Sequence, residues 1–229
     1  MLKLIRLEWK KNNIIKYIGI AFIVAISCLI FILVTAKELE AGETKLAYGN
    51  SMLKSAVELF TNMSFIVFTS TMLASFIVST YKNKTINLMF SYPISRKKIV
   101  LSQILSVWIF NFIALVLSKV LIYTILIITK KYTHIMADNI TLGSGIFYIE
   151  ILINSAVMVS ISFIALLIGL KMKSSKATII AGVIILCFTQ GNIGSYTLLD
   201  NIPFHIILLM ISIISVFLTL YKLETRDVL

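Results

Sequence analysis

Lys119 stands about ten residues, or roughly 15 Å of helix, before the end of an apolar run that reaches Thr129. A charge at such a depth marks a functional site by default, because hydrocarbon gives an ammonium group nothing to solvate it. Glu58 and Glu150, near the ends of neighbouring apolar runs, are the carboxylates available to compensate it. The bland reading is a lysine whose stem snorkels outward along a tilted 31-residue helix. The residues alone leave both open.

Other residue types with chemical potential are poorly grouped. His134 and His205 fall on one side of the apolar runs, with no cysteine or paired carboxylate at ligand spacing, so no metal site is expected. Gly143-Ser144-Gly145 resembles the nucleophile turn of rhomboid-type proteases. It lacks the first glycine, and Ser144 sits in a connecting loop rather than a span. A phosphate-binding loop needs Gly-Lys followed by Ser or Thr, and none of the nine glycines precedes a lysine. Nothing in these 229 residues therefore supplies an ATPase site or a resident cofactor. Cys28 and Cys187 both lie inside apolar runs, where a small packing role is the default.

The elements that must position these residues follow from hydropathy. Hydrophobic residues make up 59% of the chain and charged ones 14%, with mean hydropathy +0.99, too apolar for a domain whose surface faces water. Apolar stretches run at Ile14–Ala36, Val57–Tyr81, Ile99–Thr129, Ile146–Leu170, Ala177–Leu198 and Phe204–Tyr221. About 20 helical residues cross a hydrocarbon core of roughly 30 Å, so most of these runs suffice. Runs such as Ile179-Ile180-Ala181 are apolar on both parities, which excludes the alternation of a membrane barrel. The expected fold is a single all-α transmembrane domain, residues 1–229, with six transmembrane helices. The first run, at 23 residues and without a small-residue cleavage site, reads as a span rather than a signal peptide.

Basic residues orient the spans. Fifteen of the 21 lysines and arginines lie in the N-terminal segment, the second and fourth loops and the tail; five lie on the other side, and Lys119 is inside a span. Positive residues accumulate in the cytoplasm, which puts both termini there and agrees with the even number of spans. Outer loops are then expected at Lys37–Ala56, Lys130–Gly145 and Gly191–Pro203. The net charge of +11 is explained by this topology and by anionic lipid headgroups, without nucleic acid as a partner.

Residues 1–13 are expected to form an interfacial helix. Leu2, Ile5 and Trp9 share one face beside a basic stripe of Lys3, Arg6 and Lys10, so the tryptophan should sit at headgroup depth. In the second loop, residues 82–98, Ile86, Met89, Phe90 and Pro93 follow a short helical spacing that the proline stops, and Ser95 can open the next helix. Such an amphipathic segment suits a groove in a soluble partner, or it rests on lipid.

The basic amphipathic start, the loop Lys84-Thr85-Ile86-Asn87-Leu88-Met89-Phe90-Ser91-Tyr92-Pro93-Ile94-Ser95-Arg96 and the tail Glu224-Thr225-Arg226-Asp227-Val228-Leu229 together resemble the permeases of ABC-2 type transporters. The loop carries the sharpest likeness, to a Leu-Leu-x-x-Pro-Ile/Val-Ser-Arg pattern before the third span. Leu88-Met89-Phe90 departs from the usual leucine pair, and the acidic residue often preceding the pattern is missing. The resemblance implies a homodimer or paralogous heterodimer of six-helix permeases in a bacterial cell membrane. Each would dock a separate cytoplasmic ABC ATPase that binds ATP and Mg, with Lys84, Ile86, Asn87, Met89, Phe90, Tyr92 and Pro93 as the ATPase-coupling residues. Small permeases of this kind resemble those of bacteriocin immunity, antimicrobial peptide resistance and phenol-soluble-modulin export, which implies an amphipathic or hydrophobic cargo such as a peptide.

The fifth apolar run holds 14 residues from Ala177 to Gln190 before Gly191, Asn192, Gly194 and Ser195 interrupt it. That is roughly 21 Å of helix, too short to cross alone. With the family in view, residues 191–203, including Gly191, Asn192, Gly194 and Pro203, are expected to form an outer re-entrant or gating segment; the alternative is an ordinary loop under a thinned bilayer. The competing function is an ATP-independent secondary transporter, or a membrane anchor or receptor subunit. A coupled carrier usually places several ionisable groups near the midplane, where the sequence offers Lys119.

Overall fold

The computed structural model describes residues 1–41, 52–83, 96–133, 145–190, 192–193, 196–197 and 202–225. The described chain is helical except for a two-residue antiparallel ladder. Its helices are α1 (Leu2–Lys11), α2 (Ile14–Ala41), α3 (Met52–Leu73), α4 (Ser79–Lys82), α5 (Arg96–Thr133), α6 (Gly145–Ile161), α7 (Phe163–Met172), α8 (Ser175–Gln190) and α9 (Ile202–Thr225). A π-turn at Ala74–Val78 joins α3 to α4 without a break. Strands β1 (Asn192–Ile193) and β2 (Tyr196–Thr197) pair Asn192 with Thr197 and Ile193 with Tyr196.

Among the described residues, five helical stretches are long and apolar enough to cross a membrane: Ile14–Thr35, Leu53–Lys82, Lys97–Thr129, Gly145–Met172 and Pro203–Tyr221. The sixth apolar helix, α8, has 16 residues and falls below that length. Phe22 and Ile23 on α2, and Ile206, Met210 and Phe217 on α9, are turned outward. Apolar faces of this extent suit lipid rather than water.

The local chemistry explains the joints. Asn13, between α1 and α2, adopts φ 50°, a left-handed conformation that asparagine tolerates better than most residues. Lys173 takes φ 48° at the end of α7, where Ser174 N–H donates to the Gly169 carbonyl at 3.2 Å and closes the last turn. Between α6 and α7 the helix yields at Ser162, and Ser215 of α9 donates its hydroxyl to the Phe163 carbonyl at 3.1 Å. Thr61, Thr69 and Ser70 of α3 return their hydroxyls to carbonyls four residues back, which satisfies them inside an apolar bundle.

Small residues bring α8 against the bundle. A Cβ on Gly182 would overlap the Ser70 side chain of α3, and one on Gly169 of α7 would overlap Thr178 of α8. Close approach of this kind replaces the hydrophobic driving force that is missing between helices in lipid. The main core gathers Phe65, Met72 and Phe76 with Leu115, Met158 and Leu166; a second core lies where α2 and α5 end and α3 and α6 begin. This is the far end of the bundle, opposite the basic end marked by Lys82, Lys97, Lys98 and Lys171.

Several expected boundaries move. α2 continues to Ala41 and α3 begins at Met52, so Lys54 and Ala56 are helical rather than part of a loop. α5 runs on through Lys130 and Lys131 to Thr133, and α9 starts at Ile202, before Pro203. The loop expected at 82–98 is shortened at both ends, since Lys82 closes α4 and Arg96 opens α5. Helix α1 stops at Lys11 rather than Asn13 because the turn through Asn12 and Asn13 redirects the chain. Except at α1, helix-compatible residues let the hydrogen-bonded backbone persist beyond the hydropathy edge.

Candidate functional site

Three helices converge on a polar network inside the far-end core. Spacing of four residues puts Lys54, Glu58 and Asn62 on one face of α3, and Glu150 and Asn154 on one face of α6. From α5 comes Lys119, 0% exposed, so its stem does not reach the protein surface. Its Nζ donates to Asn154 Oδ1 at 2.9 Å. The same oxygen accepts Asn62 Nδ2 at 3.2 Å, while Asn154 Nδ2 donates to Glu58 Oε2 at 3.3 Å. One amide thus connects the ammonium to the carboxylate, its oxygen facing two donors and its nitrogen an acceptor.

Glu150 takes a different place. It is 48% exposed and pairs with Lys54 at 2.8 Å, one helical turn nearer the far surface than Asn154. Lys54 also lies 5.9 Å from the centre of the Phe147 ring. Of the two carboxylates expected near Lys119, Glu58 is reached through Asn154, and Glu150 is held by Lys54.

The surroundings of this network are apolar. Ile32, Val57, Ile122 and Ile151 belong to the core around it, and Tyr123, one turn after Lys119, packs edge-on against Phe147 at 5.0 Å. A low dielectric strengthens each charge-assisted bond and raises the cost of leaving any member unpaired. Asn62 Oδ1, the Tyr123 hydroxyl and Ser155 Oγ are buried without a hydrogen-bond partner among the described residues.

A second polar joint fixes α1 to α5 near the basic end. Glu8 is buried; its Oε1 accepts Gln103 Nε2 at 3.4 Å and its Oε2 accepts Asn12 Nδ2 at 3.3 Å. Trp9 Nε1 donates to the Ser106 carbonyl at 3.2 Å. The indole therefore engages the bundle instead of standing free at headgroup depth, whereas Lys3, Arg6 and Lys10 are exposed on the other side of α1. An indole N–H finds its partner in a neighbouring helix because a buried donor without one is costly.

Lys84, Ile86, Asn87, Met89, Phe90, Tyr92 and Pro93 lie outside the described residues, as do Gly191, Gly194, His134 and Ser144. Asn192 pairs in the β1–β2 ladder, and Pro203 sits in the first turn of α9, where its missing N–H is tolerated. Cys28 is buried with its Sγ 3.2 Å from Ser64 Oγ, and Cys187 is exposed.

No family model matches this chain, and no solved structure matches it. It is similar to the uncharacterized protein YcbO of Bacillus subtilis (strain 168), with 27% identity over 207 residues that cover 86% of this chain and 87% of the relative.

Proposed function

We propose that this chain is the membrane-spanning subunit of an ATP-driven exporter, working as a pair of six-span permeases with a separate cytoplasmic ABC ATPase docked on each. In this reading α8 is the sixth, short crossing, both termini are cytoplasmic, and the cargo is an amphipathic or hydrophobic molecule such as a peptide. The observation that carries it is the unbroken path from Met52 to Lys82 through the π-turn at Ala74–Val78. One end of that path holds the Glu58–Asn154–Lys119 network; the other leads directly into the loop whose residues resemble an ATPase-docking segment. A rigid helix of roughly 45 Å can carry movement of the loop to the far end. π-turns recur at functional positions in helices, and Ser175 Oγ reaches the Ala74 carbonyl at 3.5 Å within this one.

The test is purification of the chain co-expressed with an ABC ATPase encoded beside it, followed by transport in inverted vesicles. A stable complex whose cargo movement needs hydrolysable ATP is expected. Cargo movement that continues unchanged without nucleotide would end this reading.

A second reading rests on Lys119 and Glu58 sharing one amide, because ionisable groups joined inside a span suit an ion-coupled carrier. It requires uptake or efflux in proteoliposomes driven by a proton or sodium gradient alone.

A further inference from the structure

At the basic end, α5, α6, α7 and α9 leave an apolar groove of about 450 Å³ that opens sideways. Leu101, Ile104, Leu105 and Trp108 form one wall at helical spacings of three and four; Val216 and Phe217 of α9 stand opposite. Phe217 is 67% exposed, so the groove communicates with the surroundings of the protein rather than with its core. At its deep end the Trp108 indole is fixed by donating to Ser160 Oγ at 3.1 Å and by stacking on Phe112 at 5.2 Å.

Dimensions and charge together narrow the occupant. From Lys98 to Trp108 is ten residues, roughly 15 Å of helix, which is the depth of one leaflet of hydrocarbon. Lys97 and Lys98 precede Leu101 by four and three residues, so both lie on the stripe of α5 that lines the groove, and both are exposed. The lining offers no free hydrogen-bonding group: Ser160 accepts from Trp108, and Ser212 donates to the Leu209 carbonyl at 2.9 Å. An apolar slot of leaflet depth with two cations at its mouth matches an acidic headgroup joined to an acyl chain, and basic sites between helices at a membrane surface bind such lipids.

We propose that this groove holds one anionic phospholipid of the adjacent leaflet, with an acyl chain along α5 down to Trp108 and the headgroup phosphate against Lys97 and Lys98. The site needs only a membrane at the basic end and is independent of the exporter reading. A resident lipid here would wedge α9 against α5 and α7 and leave the far-end network untouched.

The two tryptophans, Trp9 and Trp108, make the test direct. In a Trp9→Phe chain reconstituted in zwitterionic vesicles, Trp108 fluorescence is titrated with phosphatidylglycerol or phosphatidylcholine brominated on the acyl chain. Quenching by the anionic lipid is expected at lower mole fraction, by roughly fivefold per lysine engaged. The preference should vanish in Lys97→Gln/Lys98→Gln, and Val216→Phe, which fills the slot, should reduce quenching by both lipids. Native mass measurement of the unmodified chain gives a second readout that does not depend on the Trp9 substitution: about one phosphatidylglycerol retained per chain, lost in the double glutamine variant. Equal quenching by both lipids overturns the proposal. So does weak quenching by both together with Phe217→Cys crosslinking of two chains, which would assign the groove to a second copy.

Discussion

Lys119 Nζ and Asn154 Oδ1 lie 2.9 Å apart, so the group in direct contact with the buried cation is an amide, and the Glu58 carboxylate stands behind it. An uncharged bridge keeps the two charges in one network, with Glu58 and Asn62 from α3, Lys119 from α5 and Asn154 from α6. Removal of one member leaves its partners in a low dielectric with one bond fewer.

Asn154→Ala is therefore expected to lower stability in detergent by about 3 kcal/mol, the scale for breaking a buried pair by deleting one participant. Lys119→Met should cost a similar amount, because it leaves Glu58 and Asn154 without the cation. The double change Lys119→Met/Glu58→Gln should be milder than Lys119→Met alone, since it removes both charges. A double-mutant cycle on the unfolding midpoint measures this coupling. Additive losses would show that the charges do not sense each other through Asn154.

Asn154 and Asn62 were hidden in the sequence because neither carries charge, and each sits in a run that reads as apolar filler. Their one signal is spacing: each lies four residues after an acidic residue, Glu150 and Glu58, and so shares its helix face. Lys54 was obscured differently, since the hydropathy edge at Val57 put it in a loop while α3 begins at Met52. Glu8 was masked by the basic stripe around it. Its burial depends on Gln103, 95 residues away in the chain, which no local pattern reveals. What was legible is what length and composition govern: helices near the five long apolar runs, and an end to α8 at Gln190 where Gly191 and Asn192 follow.

Orientation is open to direct labelling. With Cys28 and Cys187 replaced, single cysteines at Gly42 and Ala137 should react with an impermeant thiol reagent in intact cells if, as proposed, the side that carries fifteen basic residues is the cytoplasmic one. Reaction at both sites only after lysis would invert the topology.

Gly182→Ala should separate α8 from α3, since the new Cβ meets the Ser70 side chain. Overpacking of a tight contact costs about 1–3 kcal/mol. Ser70→Gly added to Gly182→Ala should return part of that loss by clearing the overlap, even though glycine weakens α3 by about 1 kcal/mol on its own. Equal unfolding midpoints for the wild type and Gly182→Ala would mean that α8 is not held by this approach.

Phe90→Ala examines whether the loop between Lys82 and Arg96 is where a cytoplasmic ATPase is engaged. Ile86, Met89 and Phe90 repeat at helical spacing, and an amphipathic segment inserted into a partner's groove depends on a few apolar anchors. Truncating an aromatic anchor commonly costs about 2 kcal/mol or more of binding. Co-purification of the ATPase and ATP-driven transport should therefore both fall, with membrane insertion unchanged because Phe90 falls between the apolar runs Val57–Tyr81 and Ile99–Thr129 of the sequence. Lys97→Ala should weaken the complex less, since a lysine at a lipid surface contributes about 1 kcal/mol and is screened by salt. Amounts in the membrane fraction must match the wild type before either result is compared. If Phe90→Ala combined with Met89→Ala leaves ATPase binding and transport intact, the loop is a connector resting on lipid, and the path from Lys82 to Met52 has nothing to transmit.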